Sequence, residues 1–475
     1  MNRIALLAAG AAAFATVLPV AAQQAPWGAP DKPVSHADRV YAAEQFSNTV
    51  SVSDPADNTL LGIIRLGDPQ PANFTPLYKG QVLVHGLGYS PDGKTLAVVG
   101  IGSNGVTFID TATNTVKHTT YVGRSPHEAF FTPDGKAVWV TVRGEDYVAV
   151  LDAATYQEVA RVKTPGGPGM TIFSPDGKYA YVCSSFNPVT VVFDAKTHAE
   201  VGRVDQPSPF CPNIAATPDG KQVWFTLKDV GKTVAFAATP PFKVLKTLDT
   251  GPITNHVNFA TVAGQQLAYV SIGGLNEIKV FRTKDFTPVT TIPVGALPHG
   301  VWPSADGSRI YVGLENDDKL AVIDTASNKV IANIPIGQAP QAIAYVPGAA
   351  ANAGEDAKLA KLGVAGNTYQ LTLADAGGER TRVTLFDQGL VQVVQAAVTG
   401  VAPGENYFLA LADAPQGGHI EPLAKFKSNP AGSAIVNAAG PIRQLVADAP
   451  AGQRRWLVVT EDTGTAPGKI LQTQK

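Results

Sequence analysis

A four-residue turn recurs along this chain at a nearly constant interval, and that interval restricts the folds open to it. The turn appears as Ser90-Pro91-Asp92-Gly93, Thr132-Pro133-Asp134-Gly135, Ser174-Pro175-Asp176-Gly177 and Thr217-Pro218-Asp219-Gly220, with a later variant Ser304-Ala305-Asp306-Gly307. Successive aspartates stand 42, 42, 43 and 87 residues apart, the last gap holding one degenerate copy near Ala263-Gly264. In such a turn proline presets φ, aspartate bonds the backbone and glycine takes the left-handed conformation. A period of roughly 40–45 residues in a strand-rich sequence corresponds to one four-stranded propeller blade per repeat.

The repeat has a regular grammar. In its second copy the strands are expected at His127–Phe131, Ala137–Val142, Tyr147–Leu151 and Glu158–Lys163. A second turn opens on Asp152 and closes on Thr155, and recurs as Asp110 with Thr113, Asp194 with Thr197 and Asp324 with Ser327. Aspartates so placed serve the turn rather than catalysis. Full blades start near residues 85, 127, 169, 213, 256 and 299, and a lone first strand follows at Gln341–Val346. Three strands without partners precede them, at Arg39–Ala43, Thr49–Ser53 and Leu60–Leu66. Joining these to Gln341–Val346 removes the open sheet edges. The chain is therefore predicted to be all-β: a seven-bladed β-propeller over residues 23–347, closed by its N-terminal strands. Residues 348–358, rich in Ala and Gly, read as a linker. Residues 359–475 alternate apolar and polar positions and are expected to form a small β-sandwich domain.

The first 22 residues read as a signal peptide: Arg3, an apolar run from Ile4 to Val17, and Val20-Ala21-Ala22 as the cleavage site. That run is too short to span a membrane, and the absence of cysteine at the site speaks against a lipid anchor. A periplasmic or secreted protein is expected. The full chain carries 37 basic and 39 acidic residues, which argues against a nucleic-acid partner. Its two cysteines, Cys183 and Cys211, are too few for a disulfide scaffold. They are expected to face each other on neighbouring blades, as a disulfide in an oxidising compartment, with soft-metal ligation and free thiols as the other states.

The segments Ala180-Tyr181-Val182-Cys183, Ala268-Tyr269-Val270-Ser271 and Ile310-Tyr311-Val312-Gly313, with the Pro-His-Gly and Pro-Asp-Gly elements before such strands, resemble the Tyr-Val-Thr-Asn (YVTN) repeat propellers. The resemblance covers about residues 39–347 and implies a seven-bladed fold, in a family that includes periplasmic and surface-layer proteins. The architecture is also similar to the propeller domains of nitrous-oxide reductase and haem nitrite reductases. The former resemblance implies copper held by pore histidines, but this chain lacks the separate copper domain, so nitrous-oxide reduction is not expected.

The residues opening the innermost strands align as His85, His127, Gly169, Asn213, His256, His299 and Gln341. Innermost strands line the channel, so these side chains should meet near one mouth. Four of the eight histidines occupy this repeated position. They either fill the bore and bind water, or converge on a transition metal, copper or iron first. Glu44, Arg143, Lys228 and Glu315 are expected around the rim, where Arg143 and Lys228 would hold an anion. Gly100-Ile101-Gly102-Ser103-Asn104-Gly105 matches a dinucleotide loop but precedes no helix, so no nucleotide is expected. No Cys-x-x-Cys-His is present for covalent haem. The expected function is a metal-dependent binding protein or oxidoreductase acting on a small molecule. The alternatives are a metal-free module for an envelope-protein partner and a lactonase-like hydrolase.

Overall fold

The computed structural model describes residues 32–67, 82–350, 358–387, 392–450 and 452–475; the expected signal peptide and most of the expected linker lie outside them. Within the described residues the chain is almost entirely β-structure, with one short α-helix at Ile442–Val446.

Seven four-stranded antiparallel sheets form the propeller, each with its strands a to d in chain order outward from the axis, except the last. Blade two is Pro126–Phe131, Ala137–Val142, Tyr147–Asp152 and Glu158–Lys163, within one residue of the expected bounds. Its Thr132–Gly135 turn uses the predicted chemistry. Thr132 Oγ1 donates to Asp134 Oδ1 at 2.6 Å, and Gly135 sits at φ +69° with its N–H on Thr132 O at 2.8 Å. Asp152 Oδ1 accepts from the Thr155 N–H at 2.8 Å, so the second class of aspartates caps turns as expected. The degenerate fifth turn is the tight hairpin at Ala263 and Gly264, both at positive φ.

Blade seven is the closure. Its innermost strand, Pro340–Val346, pairs with Arg39–Glu44, which continues to Thr49–Asp54 and Thr59–Arg65. Chain ends some 300 residues apart in sequence thus share one sheet, as Tyr41 opposite Ala344 shows. Strands a and b are buried along nearly their whole length because each blade is covered on both faces by its neighbours. The tyrosines of the repeat, Tyr181, Tyr269 and Tyr311, are fully buried between blades. Strand d faces water, and only its fifth residue is buried in blades two, three and five.

The C-terminal strands, from Thr368–Asp375 to Pro467–Gln474, form one continuous eight-stranded antiparallel sheet. It curls until its end strands, Gly417–Lys427 and Ala434–Gly440, come into contact. The two layers expected of a sandwich are opposite walls of this single barrel-like sheet, around a core that includes Leu373, Leu385, Leu409 and Val459. The domain is seated on the propeller face that carries the b–c turns. Phe386 packs on Phe46 at 4.8 Å between ring centroids, Thr384 Oγ1 donates to Asn316 O at 2.8 Å, and Ala397 joins Ile253 and Leu297 in one apolar cluster.

Candidate functional site at the propeller mouth

Each innermost strand except that of blade four follows a residue at positive φ: Leu83, Ser125, Gly167, Ile253, Leu297 and Ala339, between +48° and +76°. For residues other than glycine this backbone is strained and must be held. A repeated bond holds it. The N–H groups of Leu83, Ser125 and Leu297 donate to the Oδ1 atoms of Asn48, Asn104 and Asn276, at 2.8, 3.0 and 3.0 Å. Asp318 Oδ1 does the same for Ala339 at 2.9 Å. These four acceptors sit in the b–c turn of the preceding blade, so each blade aims the next one's first strand.

A bulge then opens the strand. In blade two Pro126 pairs with Val142 and Ala129 with Val140, so His127 and Glu128 together oppose Thr141. The same shift occurs between Val84 and Leu87, Thr254 and Val257, and Pro298 and Val301. Bulges re-aim side chains and break strict alternation. Two successive positions per blade therefore face the axis. The first holds His85, His127, Gly169, His299 and Gln341; the second holds Glu128, Met170, Asn213, His256 and Ala342. His256 and Asn213 thus stand one residue beyond the position expected for them. Met170 is buried and lines the bore, where Asn213 Nδ2 approaches its sulfur at 3.3 Å.

The four expected histidines do come together. Ring centroids lie 4.3 Å apart for His85 and His127, 6.2 Å for His85 and His299, and 4.7 Å for His256 and His299. All four are buried. They form an arc rather than one four-nitrogen centre. The tight group at the mouth, with ligand atoms all within 4.8 Å of one another, is His85, His127 and Glu128. Glu128 is the residue that strict alternation hides, since it follows His127 and should point away. The glycine at the corresponding place in blade one is the available signal: a Cβ on Gly86 would come within 2.4 Å of Glu128 Oε2.

Orientation and protonation follow from the surroundings. His127 Nδ1 is 2.9 Å from Gly169 O and His299 Nδ1 is 2.7 Å from Gln341 O, each acceptor being the matching residue of the next blade. A carbonyl oxygen only accepts, so Nδ1 carries the proton and Nε2 keeps its lone pair. Burial holds His85, His127 and His256 well below the usual imidazole range, with neighbouring imidazoles and cations adding to it. Burial and the Lys228 charge push His299 down to about 3. Burial also raises the Glu128 carboxyl to about 8. His85 Nδ1 faces Glu128 Oε1 at 3.9 Å, and neither atom has a hydrogen-bond partner. His256 Nε2 has none either.

Arg143, Lys228 and Glu315 each follow the last residue of a strand b, in blades two, four and six, and ring the mouth as expected. The Arg143 guanidinium lies between the rings of Phe186 and Phe210, 5.6 and 5.3 Å from their centroids. Glu315 is claimed by the C-terminal domain, accepting from Gln395 Nε2 at 3.0 Å. Glu44 does not belong to the rim. It is the last residue of its strand, one register step earlier, and is fully buried inside blade seven. There Thr49 Oγ1 and the Gly337 N–H donate to its carboxylate. Cys183 and Cys211 form the expected disulfide beside the mouth, which removes them as metal ligands.

A family model described as "Lactonase, 7-bladed beta-propeller" matches residues 113–330. No curated protein sequence matches the chain. Among solved structures, the chain is similar to hydrazine synthase of Kuenenia stuttgartiensis, with a TM-score of 0.50 and 20% identity over 55% of this chain and 88% of that one. It is also similar to a functionally unknown protein of Desulfotomaculum acetoxidans, with a TM-score of 0.52 and 15% identity over 65% of this chain and 98% of that one. A third likeness, to the dihydro-heme d1 dehydrogenase NirN in complex with DHE, has a TM-score of 0.48 and 12% identity over 86% of this chain and 78% of that one. At these identities the likenesses speak to the fold alone.

Proposed function

We propose that the mouth of this propeller is a transition-metal site and that the protein is an exported, metal-dependent binding protein or oxidoreductase acting on a small molecule. One observation carries the reading: two imidazoles and a carboxylate, all buried, present ligand atoms within 4.8 Å of one another. Buried polar atoms without partners are costly, and His85 Nδ1 and Glu128 Oε1 are two of them. Two imidazoles with one carboxylate suit divalent iron better than copper. Bound there, the metal would supply Lewis acidity toward a small substrate or activation of an oxidant. The chain's own part is orientation and exclusion of water. The Gly169 carbonyl fixes the His127 tautomer, burial keeps the imidazoles neutral, and the C-terminal domain covers part of the rim. Export is supported by the disulfide, since such bonds persist in oxidising compartments. The tyrosines packed between blades support membership of the YVTN-repeat propellers.

A second reading, a lactonase-like hydrolase, is favoured by the family model over residues 113–330. Glu128 and His85 offer it the acid–base pair that the sequence alone did not supply. Metal analysis of the purified protein, run beside lactone hydrolysis before and after chelation, separates the two. Bound metal without hydrolysis supports the first, and hydrolysis that survives chelation supports the second.

A further inference from the structure

The rim holds two cations: Lys228 feels the Glu315 carboxylate, and Arg143 has no counter-charge acting on it among the described residues. Arg143 and Lys228 are in no ion pair and make no side-chain hydrogen bond among the described residues, and Arg143 Nε is buried without a partner. Desolvation is the largest influence on both groups and acts against their charge, opposed at Lys228 by the Glu315 carboxylate. A half-buried charge without a counter-charge, as at Arg143, is an unfavourable arrangement for a fold to hold. Such residues persist where an anion completes them. The same register places both cations on the mouth side, two blades apart, and both act electrostatically on the mouth imidazoles: Arg143 on His85 and His127, Lys228 on His85, His256 and His299. Phe186, which flanks Arg143, is 60% exposed, so this side of the mouth reaches solvent while blade six lies under the C-terminal domain.

We propose that Arg143 and Lys228 bind the carboxylate of a small organic acid and present the rest of that molecule to the His85, His127 and Glu128 group. This names the substrate class and rests on the mouth being the functional site, but the anion subsite itself needs no metal. A monoanionic carboxylate fits better than a phosphate because Glu315 stands at the equivalent rim position of blade six, where a second negative charge on the ligand would be repelled. The guanidinium fork suits a planar carboxylate, and the flanking Phe186 and Phe210 rings restrict its rotation.

The test is calorimetric titration of the full chain with acetate, pyruvate and inorganic phosphate, repeated on Arg143→Met, Lys228→Met and the double variant His127→Ala/Glu128→Ala. We expect a carboxylate to bind wild type, each cation variant to weaken it roughly tenfold or more, and the His127→Ala/Glu128→Ala variant to retain it. Retention there separates failure of the metal reading from failure of this one. Thermal melting of the ligand-free protein supplies a second readout. Arg143→Met should melt at or above the wild-type temperature, because a half-buried charge without a counter-charge has been removed, whereas Lys228→Met also takes the cation from Glu315 and should not rise. No carboxylate binding, equal affinity in the cation variants, or phosphate bound in preference to carboxylate overturns the proposal. So does a lower melting temperature in Arg143→Met, which would mark that residue as structural.

Discussion

His85 Nδ1 and Glu128 Oε1 face each other at 3.9 Å across the joint between blades one and two, both buried and neither hydrogen-bonded among the described residues. A fold shaped only by stability would fill this place with apolar groups. Glu128→Leu removes the unsatisfied Oε1 but also the acceptor of the Leu87 backbone bond, so it is expected to leave the metal-free protein within about 1 kcal/mol of wild type. Denaturant unfolding of the chelated protein checks it. Destabilisation by about 3 kcal/mol or more would show that the carboxyl serves the fold rather than a ligand.

Ring closure rests on the pairing of Arg39–Glu44 with Pro340–Val346. Tyr41 is fully buried within that joint. Tyr41→Ala is expected to cost about 3–5 kcal/mol, the usual range for deleting a large buried side chain. The loss should appear as a lower unfolding midpoint with cooperative unfolding retained, since the strand still closes the ring.

Glu44 makes that joint sensitive to pH. Burial raises its carboxyl from 4.5 to about 7 against the opposing effect of its hydrogen bonds. The folded state thus binds this proton more tightly than the unfolded chain does. The contribution is complete below about pH 4.5 and is lost as pH rises through about 7. Stability should fall across that window by about 3 kcal/mol from this group. Glu44→Gln should flatten the dependence, which unfolding curves taken from pH 5 to 8 will show.

The disulfide closes a loop of 28 residues between blades three and four. Loop-closure entropy makes its removal worth about 3–4 kcal/mol. A Cys183→Ser/Cys211→Ser variant should lose that much stability while keeping the bound metal of the wild type, because neither sulfur is a ligand in this account. Metal analysis and unfolding of the same preparation check both halves.

The sequence displayed the periodic part of this fold. The Pro-Asp-Gly turns fix four of the blades, and counting strands without partners leads directly to the closing of Pro340–Val346 on Arg39–Glu44. The mouth histidines were legible for the same reason, as one position repeated. What strict alternation could not show is the bulge, which turns both His127 and Glu128 toward the axis and moves His256 and Asn213 to the second position. Glu44 fails in the opposite sense: one register step separates it from the rim residues Arg143, Lys228 and Glu315, and that step sends it into the blade. The docking of the C-terminal domain on the mouth face depends on contacts such as Gln395 with Glu315. Those contacts join distant residues through no repeat, so no period reveals them.

Metal content decides whether His85, His127 and Glu128 form a metal site. The wild-type protein, purified from its native compartment in chelator-free buffer, should carry a near-stoichiometric first-row metal, iron before copper. That metal should be absent from His127→Ala/Glu128→Ala and retained in His118→Ala, which alters a histidine on the outermost strand of blade one. Metal-free wild-type protein that also fails to take up iron or copper, or a double variant that keeps its metal, would mean that the mouth is not a metal site.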